Sequence, residues 1–81
     1  NLFVNDNRQV SMYPIATDAG RNIYVIGISS PCWQAYNVNG YLCKEGVGNM
    51  IPVNGWDPGA YLVKIYDTDN NIIKVGKIII R

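Results

Sequence analysis

The segment from Gly59 to Arg81, GAYLVKIYDTDNNIIKVGKIIIR, constrains the fold more than any other part of the chain. Two runs rich in Ile, Val and Tyr flank Asp67-Thr68-Asp69-Asn70, the signature of a β-hairpin. Asp67 suits the first position of a type I turn, and Asn70 suits the left-handed position that closes the loop with a bulge. The same chemistry occurs in AYNVNGYL, where Asn37 takes the Asp67 role and Gly40 the Asn70 role. Tyr36 and Tyr66 precede the two turns. This is repeated turn chemistry and not a duplicated fold.

Pairing outward from Asp67 and Asn71 sets Ile65 against Ile73 and Val63 against Val75, with Leu62 and Lys64 on the opposite face. One face is then core. The same register continued would bring Lys77 inward beside Tyr61, a costly place for an ammonium group. A bulge at Gly76 would shift the alternation by one residue. Ile78 and Ile80 would then face inward, while Lys77, Ile79 and Arg81 face out. The apolar run reaches Arg81 without a polar tail, so the last strand reads as a structural element with a cationic edge.

The remainder of the chain follows the same pattern. Short apolar runs near Leu2–Val4, Gln9–Tyr13, Asn22–Ile26, Cys32–Asn37, Tyr41–Lys44 and Asn49–Val53 alternate with Gly, Asn, Asp and Pro, and no window carries a helical stripe. Strands are further expected over Ala60–Tyr66 and Ile72–Ile80. Eighty-one residues suit one domain, which at this size buries about 60% of the surface of its unfolded chain. The expected fold is an all-β, immunoglobulin-like antiparallel sandwich of about seven strands, with residues 1–8 a linker or an edge strand. Neither a Cys…Trp…Cys spacing nor a tyrosine corner marks a true immunoglobulin domain. The start at Asn1, without Met or a signal-peptide pattern, reads as a piece of a longer precursor.

Catalysis has little support in these residues. The chain has no His, which removes the commonest general base and the usual partner of a Ser or Cys nucleophile. Asp6, Asp18, Glu45, Asp57, Asp67 and Asp69 fall mostly in turns, where backbone hydrogen bonding accounts for them. Asp67 and Asp69 lack the downstream bidentate Glu of a calcium loop. Gly46-Val47-Gly48 has no following helix or Lys-Ser/Thr to make a phosphate cradle. No cofactor is implied. A net charge of +1 with scattered basic residues gives nucleic acid or lipid little to bind. The hairpin register pairs Cys43 with Ala35, leaving Cys32 about 10 Å further along, beyond the Cα reach of a disulfide. Both thiols are therefore expected free, Cys43 in the core and Cys32 near the surface.

From Gln9 to Arg81 the residues resemble the type A C-terminal sorting domain of proteins exported by the type IX secretion system of Bacteroidetes. The resemblance rests on Tyr13-Pro14, on the strand ending in Tyr36 before the turn to Gly40, on the strand opener Gly59-Ala60-Tyr61, and on the basic, branched-apolar run Lys77-Ile78-Ile79-Ile80-Arg81. The family commonly reads Tyr-Pro-Asn-Pro where this chain has Tyr13-Pro14-Ile15-Ala16, and aliphatic residues where it has Trp33 and Ala35. The resemblance implies a label that folds in the periplasm behind an N-terminal cargo domain and is recognised by the outer-membrane translocon. A sortase-like cysteine peptidase would then cleave it, leaving the cargo on the cell surface. Recognition would centre on Gly59, Tyr61, Lys77, Ile78, Ile79, Ile80 and Arg81. The final strand could be read directly or lend its edge for β-augmentation, and such an edge also suits a homodimer through edge pairing or a swapped strand.

A rival reading is a carbohydrate-binding or adhesive accessory sandwich with Trp33, Trp56 and exposed tyrosines as stacking platforms. Trp56 lies in NGWDPG, a loop position where a large aromatic more often covers a core edge.

Overall fold

The computed structural model describes residues 9–18 and 20–81, so the expected strand at Leu2–Val4, the segment 1–8 and Asp6 lie outside the described residues. Eight strands form in chain order: β1 Ser11–Tyr13, β2 Ala16–Thr17, β3 Asn22–Ile26, β4 Cys32–Tyr36, β5 Leu42–Val47, β6 Met50–Pro52, β7 Gly59–Tyr66 and β8 Ile72–Ile80. They make a sandwich of two sheets, one of three strands in the order β1-β3-β6 and one of five in the order β2-β8-β7-β4-β5. The β4-β7-β8 neighbours in one sheet and β1-β3-β6 in the other match the strand arrangement of immunoglobulin-like sandwiches.

Both turns form as identical hydrogen-bonded loops. Gly40 N–H donates to Asn37 O at 3.0 Å, and Asn70 N–H donates to Asp67 O at 3.1 Å. The side chains of Asn37 and Asp67 each accept two further backbone N–H groups, from Asn39 and Tyr41 and from Asp69 and Asn71. Asn70 sits at φ 65° and Gly40 at φ 85°, the left-handed positions the two turns require.

The register beyond those turns differs from the expected one, and it differs in the same way twice. Tyr36 pairs with Leu42 and Ala35 with Lys44, so Cys43 is the extra residue of a bulge. In the second hairpin Tyr66 pairs with Ile72 and Ile65 with Lys74, which makes Ile73 the extra residue. The shift that keeps Lys77 out of the core therefore occurs beside the turn and not at Gly76. Val75 faces out, contrary to expectation, and Gly76 sits opposite Val63 in a regular ladder. A Cβ at Gly76 would meet the terminal methyl of Met12 from the facing sheet, the flexible end of a side chain that can shift. Ile78 and Ile80 are fully buried and Ile79 is half-buried, as the alternation demands.

The bulge also moves Cys43 from its expected core position to the surface, because the register step leaves it outside the ladder. Cys32 pairs with Val47, four positions from Cys43 along β5; at about 3.3 Å per residue this is further than the expected 10 Å. Both cysteines are free. Strand β5 runs past Lys44 to Val47 because Gly46 leaves room for the indole of Trp33, whose ring atoms stand 2.6 Å from where a Cβ would be.

Two features were not expected. The pair β2·β8 is parallel, which makes the larger sheet mixed, and it joins Ala16 to Ile79 and Thr17 to Ile80. At two residues β2 is too short to write a pattern of its own. Secondly, a tyrosine corner is present: Tyr61, near the start of β7, donates its hydroxyl to Asp57 O at 2.7 Å. Between the sheets lie Met12, Ile23, Val25 and Ile51 from one side, and Trp33, Ala35, Val63, Ile65, Ile73, Ile78 and Ile80 from the other. Trp56 closes one end, its ring centroid 6.1 Å from Trp33 and 5.2 Å from Tyr61.

This register predicts unequal costs along β8. Ile78→Ala should cost about 2 to 5 kcal/mol in urea unfolding, as a fully buried large-to-small change, while Ile79→Ala costs well under half as much. Equal losses would contradict the inward and outward assignment.

Candidate recognition surface

The outer face of the five-stranded sheet carries the accessible residues of the final hairpin. The ladders place Glu45, Gln34, Lys64 and Val75 side by side across four strands, and Leu42, Tyr36, Leu62 and Lys77 in the next row. A hydrogen-bonded relay orders the middle. Tyr36 donates its hydroxyl to Gln34 Oε1 at 2.9 Å, and Gln34 Nε2 donates to Glu45 Oε1 at 3.4 Å. Lys64 Nζ lies 4.8 Å from the centroid of the Tyr36 ring, a cation–π contact that holds this ammonium against the sheet. Beside this relay is an open groove of about 400 Å3, where Leu62, Val38 and Ala60 supply apolar wall and Lys64 and Lys77 supply charge. Among the described residues no carboxylate pairs with Lys77, which is exposed.

The structure scatters the residues singled out from the sequence. Tyr61 and Lys77 line the groove, together with the turn residues Asn37 and Gly40. Ile78 and Ile80 are core, and a partner could touch them only after unfolding. Gly59 opens β7 at φ 145°, opposite Ile80. Arg81 lies apart from the groove, on the side of the sheet covered by β2. There its Nη2 donates to Ala16 O at 3.3 Å and its Nε stands 3.7 Å from Asp18 Oδ1. The turn residues Asp67 and Asn70 sit at the opposite end of the hairpin, where Asp67 Oδ1 accepts the N–H groups of Asp69 and Asn71.

The strand edge is partly closed as well. Ile79 N–H donates to Ile15 O and Arg81 N–H to Thr17 O, both at 2.8 Å, so β2 occupies the outer edge of β8 over its last residues. Amides two residues apart point the same way along a strand. Val75 and Lys77 therefore present their N–H groups on that edge where no described strand pairs with them. Strand addition at β8 is limited to this short stretch.

The sequence missed the groove, although one signal was present. Alternation along β7 puts Leu62 outward, and an outward Leu beside Lys64 marks a surface that is neither core nor plain solvent face. Trp33 and Trp56 are buried and cannot serve as stacking platforms. Tyr13, Tyr24 and Tyr41 are the exposed tyrosines.

Two tyrosines on or beside this surface resist ionisation. Burial raises the Tyr61 phenol above its usual range, reinforced by the charges of Asp57 and Cys43. Burial likewise raises Tyr66, with Tyr36 adding to it through charge and a side-chain hydrogen bond.

No family model matches the chain, and no curated protein matches it.

The raised phenols make a pH prediction. A group whose pKa is higher in the folded state adds stability below its unfolded value of about 10, and that stability is lost as the pH rises through the folded value. Absorbance at 295 nm should show Tyr61 and Tyr66 ionising later than a tyrosine in a short peptide. Tyr61→Phe and Tyr66→Phe should each remove one late step, and retention of both steps in either variant would contradict the assignment.

Proposed function

We propose that this domain is a non-enzymatic secretion signal of the type IX kind, read by an outer-membrane translocon through the outer face of its final hairpin. The observation that carries the reading is the groove beside Lys77, where an exposed ammonium with no carboxylate partner among the described residues stands next to exposed Leu62 and Val38 on a sheet whose other face is core. A surface of that composition has apolar area to bury and a charge to set orientation, the two ingredients of a specific protein contact. The resemblance in Tyr13-Pro14, Gly59-Ala60-Tyr61 and Lys77 to Arg81 supplies the class of partner. In this reading a cargo domain precedes the chain, folding takes place in the periplasm, and a sortase-like cysteine peptidase acts after export, leaving the cargo outside or on the cell surface.

Burial limits which of the terminal residues a folded signal can offer. Ile78 and Ile80 hold the strand in place, and Lys77, Ile79 and Arg81 remain for contact. The carbohydrate-binding alternative loses its two Trp platforms to the core.

The test is a reporter fused ahead of this domain in a host with a type IX system, carrying Lys77→Ala/Arg81→Ala. Lys77 is exposed, and the Arg81–Asp18 pair is exposed on both sides, so the double change should cost no more than about 1 kcal/mol. Export should nevertheless fall, with the reporter accumulating in the periplasm. A core variant of matched stability should export normally. Surface delivery of the double variant at the parental level would refute recognition through these charges.

A further inference from the structure

A second cavity, of about 520 Å3, lies where β2, β3 and the end of β8 meet, away from the groove beside Lys77. Tyr13 and Tyr24 are direct cross-strand partners on β1 and β3. Both point out of the three-stranded sheet, 69% and 46% exposed, and both line the cavity. Side chains directly opposite on an antiparallel ladder have Cβ atoms about 4.5 to 5.5 Å apart, so the two phenol rings start from neighbouring points on one face and offer apolar area to a ligand. Arg21 and Arg81 line the same cavity. A backbone hydrogen bond from Arg21 N–H to Asp18 O at 3.2 Å brings Arg21 to the side of the loop where Asp18 meets Arg81. Asp18 engages one guanidinium, and among the described residues no carboxylate pairs with Arg21. Among the described residues the cavity thus brings together one cation without a carboxylate partner, the Asp18 carboxylate, Asn22 and two tyrosines from paired strand positions.

We infer that this cavity binds an acidic saccharide, specifically a uronic acid residue within a glycan chain. The pyranose C–H face would lie on the Tyr13–Tyr24 platform, the sugar carboxylate would meet the planar fork of Arg21, and Asp18 and Asn22 would take ring hydroxyls. The charge count separates this ligand from nucleic acid. Affinity for nucleic acid grows with the number of phosphates neutralised, whereas this cavity offers one unmatched cation and an acidic neighbour. The inference does not depend on the secretion reading, and its variants leave Lys77 and Arg81 intact.

The experiment follows amide shifts of the 15N-labelled chain during titration with tetragalacturonic acid, its methyl-esterified counterpart, a thymidine tetranucleotide and sodium phosphate. Tetragalacturonic acid should give saturable shifts confined to residues around Tyr13, Thr17, Arg21 and Tyr24. The ester should bind at least tenfold more weakly. Arg21→Gln and Tyr24→Ala, both at exposed positions, should each weaken binding about tenfold while the dispersion of core amides stays native. Equal binding of acid and ester, unchanged affinity in Arg21→Gln, shifts located elsewhere, or tighter binding of the tetranucleotide or phosphate would each overturn the assignment.

Discussion

Two backbone hydrogen bonds, from Ile79 N–H to Ile15 O and from Arg81 N–H to Thr17 O, tie the first described segment of the chain to the last. Their effect is larger than two bonds would suggest, because that first segment belongs to both sheets. Residues 11–13 pair with β3 in the smaller sheet, and residues 16–17 pair with β8 in the larger one. The crossing near Pro14 therefore closes one side of the sandwich. It also fixes where β8 stops being an open edge, seats Thr17 in the interior, and brings Asp18 to Arg81. The cavity floored by Tyr13 and Tyr24 exists because of this clasp.

The clasp works only if β8 presents the correct face inward, and a single register step decides that. In an uninterrupted ladder from the turn, Lys77 would share a face with Val63 and Ile65. The bulge at Ile73 moves every following residue to the other side, so that Ile78 and Ile80 fill the core and Lys77 meets water. Burying an unpaired ammonium costs far more than one irregular pair in a ladder. Chemistry on the outer face follows from the same step. Lys77 arrives beside Leu62 and Val75 beside Lys64, which builds the groove and the row next to it.

Much of this was legible in the residues, for identifiable reasons. Asn37, Gly40, Asp67 and Asn70 announce their turns because side-chain capping and left-handed φ are local properties. The inward set Val63, Ile65, Ile78 and Ile80 follows from alternation plus the cost of burying Lys77. The position of the compensating bulge was not legible. Gly76 is the residue most tolerant of irregular backbone, yet the step falls at Ile73, beside the turn, and Gly76 stands in a regular ladder opposite Val63. Cys43 was misplaced for the same reason. A two-residue parallel strand such as Ala16–Thr17 has no periodicity to detect, and the Tyr61 hydroxyl bond to Asp57 depends on a loop path that spacing alone does not encode. Surface sites were the least visible. The groove needs Val38 from one hairpin and Leu62 from another, and the saccharide cavity needs Arg21 and Arg81, far apart in sequence.

Amide hydrogen exchange along β8 tests the clasp most directly. If β2 holds the final strand as described, the amides of Ile79 and Arg81 exchange slowly, with protection approaching that of core amides. Those of Val75 and Lys77, on the same edge but beyond β2, exchange orders of magnitude faster. Exchange of Ile79 and Arg81 as rapid as that of Lys77 would mean that the edge is open along its whole length, and the account of the clasp and of the cavity built on it would be wrong.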